Sequence, residues 1–275
     1  MPKLSEMKNI EEYHEYYKSE VQLFPSNLQD MIKHLQTEEI CKLAVQRCGY
    51  ALEYVYYKLK SKEELLVSFD GVSFHIPPEI TGFGWAAKKD KLWLHTDQSY
   101  LKNEFECVQG WINAYDTNEG DATLIILEGS HKYHSEFAQE FEETSPDDWF
   151  LLNQEQIKWY TNTKKCVKKM IKCPAGSLVL WDSRTIHCAK EPDSKRHQSN
   201  YRCVVYLCYT PRSFASIGML NTKINAWKNL RTTSHWPHNP QLCDLYPNTF
   251  GNPLPQIVQI VKPEIDDLAY SLIGY

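Results

Sequence analysis

A chain of 275 residues is long enough for one large domain or two small ones, and folding at this size hides roughly three quarters of the unfolded surface, so the core needs no covalent staples. The 30 basic and 35 acidic residues give a formal charge of −5, which argues against a general nucleic-acid binder, because that function needs a basic surplus to displace counterions. No membrane span is expected, since the longest apolar run, at 203–209, falls far short of the roughly 20 residues that cross a bilayer. The opening 25 residues are charged and tyrosine-rich without a signal-peptide apolar block, and the nine cysteines are scattered with no CxxC pair. Reduced thiols in a cytoplasmic protein are the expectation.

In chain order, Ser26 or Asn27 caps a predicted helix carrying Leu28, Met31, Ile32 and Leu35, and a second helix carries Ile40, Leu43, Ala44 and Arg47. Strand signals follow at 54–59 and 65–69, and Asp70-Gly71 reads as a hairpin turn. Further strands are predicted at 92–97, 108–115, 122–127, 177–182, 185–189 and 202–209. Many short strands between turn residues predict a β-sandwich or barrel core. An insertion at about 134–172 reads as helical, with starts at Ser145-Pro146-Asp147-Asp148 and at Asn153. After Pro211, the spacing of Leu220, Ile224, Trp227 and Leu230 predicts another helix, and the proline-rich end reads as a surface tail. The chain is expected to be a single domain over 1–275. A helical region at 1–50 precedes the core at 51–215, and a C-terminal helix and tail occupy 216–275.

The chemistry-bearing residues are few. On a strand at 92–97, side chains alternate, so Trp93, His95 and Asp97 share a face. An imidazole and a carboxylate two residues apart reach one metal ion, two thirds of the two-histidine, one-carboxylate set that holds non-haem Fe(II) with positions left open. Alone, HxD is a weak signal, and a hydrogen-bonded pair at a surface turn is the more common reading. His134 and Glu136 form an HxE of the same spacing, but in a charged, helix-like stretch where residues two apart diverge. His187 follows a Pro/Gly turn, an apolar strand and a polar break, a setting that suits a neutral metal-bound imidazole or a hydrogen-bonded core histidine. Arg196 and Arg202 come next, and arginine's planar fork matches a carboxylate. Arg202 opens a predicted strand on which Val204, Tyr206 and Cys208 share its face.

Taken together, HTDQ at 95–98, the segment 110–134 ending in Gly-Ser-His, 173–192 and 201–212 resemble the phytanoyl-CoA dioxygenase-like branch of the Fe(II)- and 2-oxoglutarate-dependent oxygenases. The resemblance implies an α+β fold with a double-stranded β-helix (jelly-roll, cupin-like) core flanked by N-terminal and C-terminal helices. It implies His95, Asp97 and His187 as iron ligands and Arg202 as the anchor of the 2-oxoglutarate C5 carboxylate, with Arg196 as runner-up because the intervening loop is long for the family. Gln109, Trp111 and Asn113 alternate on a neighbouring strand and are expected either to line the co-substrate pocket or to serve as ordinary strand positions. The implied reaction consumes O2 and 2-oxoglutarate, releases succinate and CO2, and hydroxylates a C–H bond of a small-molecule substrate. The Asp97 carboxylate separates the chain from related halogenases, which place a small residue there. A protein hydroxylase of the same mechanism, a non-catalytic β-helix binding protein with a vestigial metal site, and a cupin-type metal enzyme without 2-oxoglutarate are the alternatives.

Overall fold

The computed structural model describes residues 64–86, 92–245 and 261–275. The expected helices before residue 50 and the strand at 54–59 lie outside the described residues. Two antiparallel sheets form the core. The larger contains β1 (Leu65–Val67), β2 (Val72–His75), β4 (Val108–Asn113), β8 (Leu178–Asp182) and β10 (Arg202–Pro211), in the order β1-β10-β4-β8 with β2 also on β10. The smaller contains β3 (His95–Thr96), β5 (Thr123–Glu128), β6 (Phe150–Leu151), β7 (Val167–Met170) and β9 (His187–Lys190), in the order β6-β3-β9-β5-β7. The chain crosses between the sheets from β2 through to β5 and again from β7 through to β10, which makes the pair a double-stranded β-helix, a jelly roll.

Strand alternation sets three apolar layers. Trp111, Val204, Val179, Trp181 and Tyr206 of the larger sheet meet Leu124 and Ile126 of the smaller one between the sheets. Val108, Ile112, Leu178, Leu180 and Leu207 point outward instead, where Leu65 and Leu272 join them. Gly110 lies on that outer side, and a Cβ there would stand 2.6 Å from Leu180 Cδ2 and from the Val179 carbonyl oxygen, so only glycine fits. The outer face of the smaller sheet is closed by the insertion, whose Phe137, Trp159 and Tyr160 pack on Ile125, Leu127 and Ile186.

Several expectations are corrected. Asp70-Gly71 is not a hairpin turn. β1 and β2 both run antiparallel to β10, with Val67 opposite Tyr209 and Val72 opposite Val205, so they are successive pieces of one edge strand. Residues 68–71 face residues 206–208, one residue more on the edge, which is a bulge. Asp70 Oδ1 accepts from its neighbour's Gly71 N–H at 2.7 Å, and the Gly71 carbonyl accepts from Tyr206 N–H at 3.0 Å, so the turn-type residues satisfy the bulge.

The insertion is mixed rather than helical. α2 (His134–Glu140) and α3 (Gln154–Lys158) alternate with β6 and β7, the outer strands of the smaller sheet. Asn153 caps α3 through a capping box in which Asn153 Oδ1 accepts from Gln156 N–H at 3.0 Å and Gln156 Oε1 accepts from Asn153 N–H at 2.9 Å. No helix starts at Ser145-Pro146. That stretch anchors the turn after Asp97 instead, with the Ser145 carbonyl accepting from Ser99 Oγ at 2.7 Å and Asp148 accepting from Ser99 N–H at 3.1 Å. Outside the insertion lie α1 (Pro78–Thr81) and α4 (Ile217–Lys228), the latter capped by Ser216. The expected tail includes α5 (Asp267–Ile273), whose Leu272 covers the larger sheet.

Candidate metal centre

β3 and β9 pair with His95 directly opposite His187, so strand register brings together two histidines far apart in sequence. Their ring centroids are 4.4 Å apart. Asp97 follows β3 and turns back under both rings, with Oδ1 at 3.4 Å from His95 Nε2 and Oδ2 at 3.3 Å from His187 Nε2. The ligand atoms of His95, Asp97 and His187 all lie within 4.8 Å of one another. Each histidine is held by the carbonyl two residues before it. His95 Nδ1 lies 3.1 Å from the Trp93 oxygen and His187 Nδ1 2.8 Å from the Thr185 oxygen. A carbonyl only accepts, so Nδ1 carries the proton and Nε2 turns its lone pair inward. Two lone pairs and a carboxylate then converge on one point, which a shared cation or added protons must satisfy. Burial works to raise the Asp97 pKa, but the contacts with His187 and His95 outweigh it and hold the carboxyl well below its usual range. The donor set fits a non-haem Fe(II) ion with open positions.

Around this cluster, Gln109 Nε2 donates to Asp97 Oδ2 at 2.8 Å, and Trp181 Nε1 donates to Gln109 Oε1 at 2.8 Å. The Trp181 ring also lies against His187, with centroids 5.4 Å apart. Trp93 stacks nearly parallel on His95 at 4.6 Å, and Trp149 approaches the same ring at 5.9 Å; both indoles are about half exposed. Sequence reasoning did not single out Trp149 or Trp181. The signal for Trp181 was present, since on β8 it shares the inward parity of Val179.

Trp111 and Asn113 stand further along the inner face of β4. Asn113 Nδ2 donates to the Tyr115 and Pro174 carbonyls at 2.7 and 3.0 Å, while its Oδ1 and the Trp111 Nε1 are buried with no partner among the described residues. Arg202 is buried where β10 begins, and its Nη1 donates to Ser73 Oγ at 3.1 Å. Burial and the nearby Arg202 charge lower the pKa of His75, its cross-strand neighbour. Arg196 is committed elsewhere. Its Nε and Nη2 donate to the two oxygens of Glu79 at 2.8 and 2.5 Å, and Nη1 donates to Asp121 at 2.9 Å. His134 and Glu136 do not form a metal pair: His134 Nε2 is bonded to the Ser99 carbonyl at 3.0 Å, and Glu136 pairs with Lys164.

A jelly roll with a buried His-Asp-His set between its sheets is the architecture of a metal-dependent oxygenase class. The model of the phytanoyl-CoA dioxygenase (PhyH) family matches residues 32–198, and the chain belongs to that family. It is 30% identical over 197 residues to "Ava biosynthesis cluster protein O" of Aspergillus versicolor, a match covering 66% of this chain and 58% of that protein. The chain thus spans well under two thirds of that relative's length. Among solved structures, it is similar to EctD from S. alaskensis (12% identity, TM-score 0.37, 55% of this chain and 46% of that one). It is also similar to the epimerase SnoN in complex with Fe3+, alpha ketoglutarate and nogalamycin RO (14% identity, TM-score 0.37, 66% and 61%).

Proposed function

We propose that the chain is an Fe(II)- and 2-oxoglutarate-dependent dioxygenase that hydroxylates an unactivated C–H bond of a small-molecule substrate. The observation that carries this reading is the convergence of His95 Nε2, His187 Nε2 and the Asp97 carboxylate, with both Nδ1 protons committed to backbone carbonyls. His95, Asp97 and His187 would hold the iron. When bound, the iron with 2-oxoglutarate and O2 supplies an oxidative decarboxylation that releases succinate and CO2 and leaves one oxygen atom on the substrate.

The remaining work belongs to the protein's own groups. Arg202 is the proposed anchor for the distal carboxylate of 2-oxoglutarate. It is buried, its Nη1 donates to the neutral hydroxyl of Ser73, and it opens the strand whose inward face passes Val204 and Tyr206 towards Gln109. Trp111 offers an indole N–H with no partner among the described residues, on the neighbouring strand, and Asn113 braces the Pro174 turn at that end of the interior. The apolar layer between the sheets keeps stray water away. At the rim, the half-exposed Trp93 and Trp149 offer stacking faces to a ring-bearing substrate.

We read the setting as reducing and cytoplasmic: the cysteines among the described residues form no disulfide, and burial pushes up the Cys173 and Cys203 thiols in pKa. No helix among the described residues is long and apolar enough to cross a membrane. We read the core at 51–215 and its flanking segments as one domain.

Anaerobic addition of Fe(II) and then 2-oxoglutarate tests the proposal. A weak visible charge-transfer band that saturates at one 2-oxoglutarate per chain is expected, and a colourless mixture at saturating concentrations would refute it.

A further inference from the structure

Gln109 stands between two groups of fixed character. The Trp181 indole N–H can only donate, so the Gln109 atom facing it must be the carbonyl oxygen. That settles the amide's orientation by chemistry: Nε2 faces Asp97 and donates to Oδ2 at 2.8 Å. Gln109 is 3% exposed, so solvent does not compete for either bond. Cross-strand pairing on β4 and β8 sets Gln109 directly opposite Trp181, so the backbone register fixes the relay. Asp97 Oδ1 faces His95 Nε2 at 3.4 Å, whereas Oδ2 faces His187 Nε2 at 3.3 Å and in addition accepts the Gln109 amide hydrogen bond.

Resting on the function proposed above, we infer that the Trp181–Gln109 relay holds Asp97 as a one-oxygen ligand, with Oδ1 given to the metal and Oδ2 retained by Gln109. The consequence is a count of positions. Two histidines and one carboxylate oxygen leave three of six octahedral positions, two for a chelating keto acid and one for O2. A carboxylate that swung to bind through both oxygens would take the position that O2 needs. Gln109 and Trp181 are therefore positioning residues that act through Asp97, and Trp181 adds a second hold through its ring contact with His187. Losing such outer partners typically costs roughly 10- to 100-fold in metal affinity or activity.

The test compares wild type, Gln109→Leu and Trp181→Phe, each loaded anaerobically with Fe(II) and 2-oxoglutarate and titrated with nitric oxide as a stand-in for O2. The electron paramagnetic resonance signal of the nitrosyl reads the third position, and the charge-transfer band reads the keto-acid chelate. The variants are expected to keep the band while their nitric oxide affinity falls by roughly tenfold or more. Trp181→Phe retains the ring and decides the matter if Gln109→Leu fails to fold. Unchanged nitric oxide affinity in a variant that keeps the band overturns the relay. Co(II) alone gives a readout independent of 2-oxoglutarate: the visible d–d bands of the variants should be displaced from those of the wild type as the carboxylate changes its binding, and wild-type spectra in both variants overturn the inference. A wild type without the charge-transfer band counts against the proposed function, and the Co(II) comparison still judges the relay.

Discussion

Arg196 and Arg202 lie six positions apart, and replacing each by alanine should produce opposite outcomes. The Arg196 side chain is 2% exposed and its three donor nitrogens bind Glu79 and Asp121. The link joins α1 to the turn between β4 and β5, where Gly120, at φ +83, would place a Cβ 2.7 Å from Arg196 Cβ. Arg196→Ala leaves the Asp121 carboxylate, 6% exposed, without its counter-charge. Breaking one partner of a buried pair costs roughly 3–5 kcal/mol. The low end applies because Glu79 is 32% exposed and Asp121 keeps hydrogen bonds from Asn118 N–H and Asn200 Nδ2. With about 0.6 kcal/mol/K of unfolding entropy for a chain of this length, a loss of about 3 kcal/mol lowers Tm by about 5 °C. Calorimetry reads that shift, and anaerobic 2-oxoglutarate titration of the same sample should give an unchanged midpoint. Arg202→Ala should do the reverse, raising the 2-oxoglutarate midpoint roughly 10- to 100-fold, the loss of a charge-assisted, two-point contact, while Fe(II) still binds. An Arg196→Ala protein with unaltered Tm and lost 2-oxoglutarate binding would refute the assignment of both arginines.

Asp97→Ala should abolish substrate-dependent succinate release and leave no tight Fe(II) site by equilibrium dialysis; retained turnover would remove Asp97 from the centre. Burial pushes the Lys223 amine down to about 7 from 10.5. The folded chain therefore sheds between pH 7 and 10.5 a proton that the unfolded chain keeps, so stability rises with pH through that window and is lost on the way down. The ceiling is about 5 kcal/mol by linkage, reduced by the Phe69 ring 3.9 Å away, which favours the charged amine. Lys223→Met should flatten that part of a urea-midpoint profile against pH, and equal slopes in the two proteins would exclude the effect. Asn153→Ala removes one half of the α3 capping box and should cost about 1 kcal/mol in chemical denaturation.

The alternation of Gln109, Trp111 and Asn113 was legible because a strand's period of two needs no tertiary information, whereas the expected strand at 92–97 shrinks to His95–Thr96, and Asp97 reaches the histidines by a turn after it rather than by alternation. The pairing of His95 with His187 was not legible, because it depends on how two strands register across a long intervening chain. The same limit hid Trp181, which meets Gln109 only through the pairing of β4 with β8. Arg202 was preferred to Arg196 because it opens a strand, but the pairing of Arg196 with Glu79 and Asp121 was not legible, since both carboxylates arrive from other elements. Asp70-Gly71 carries a turn composition, but those residues serve a bulge as readily as a hairpin when the next strand continues along the same neighbour. Ser145-Pro146-Asp147-Asp148 has the composition of a helix start, yet its polar groups are used by Ser99 and Lys102.

That bulge has a bearing on how copies of the molecule behave in a crowded solution. Among the described residues, β1 and β2 form one border of the larger sheet, the kind of edge on which a second chain can dock strand-to-strand. The extra residue at 68–71 throws the two halves out of phase, so an incoming straight strand can match one half or the other but not both. Filament growth along this border is thereby frustrated at its first step.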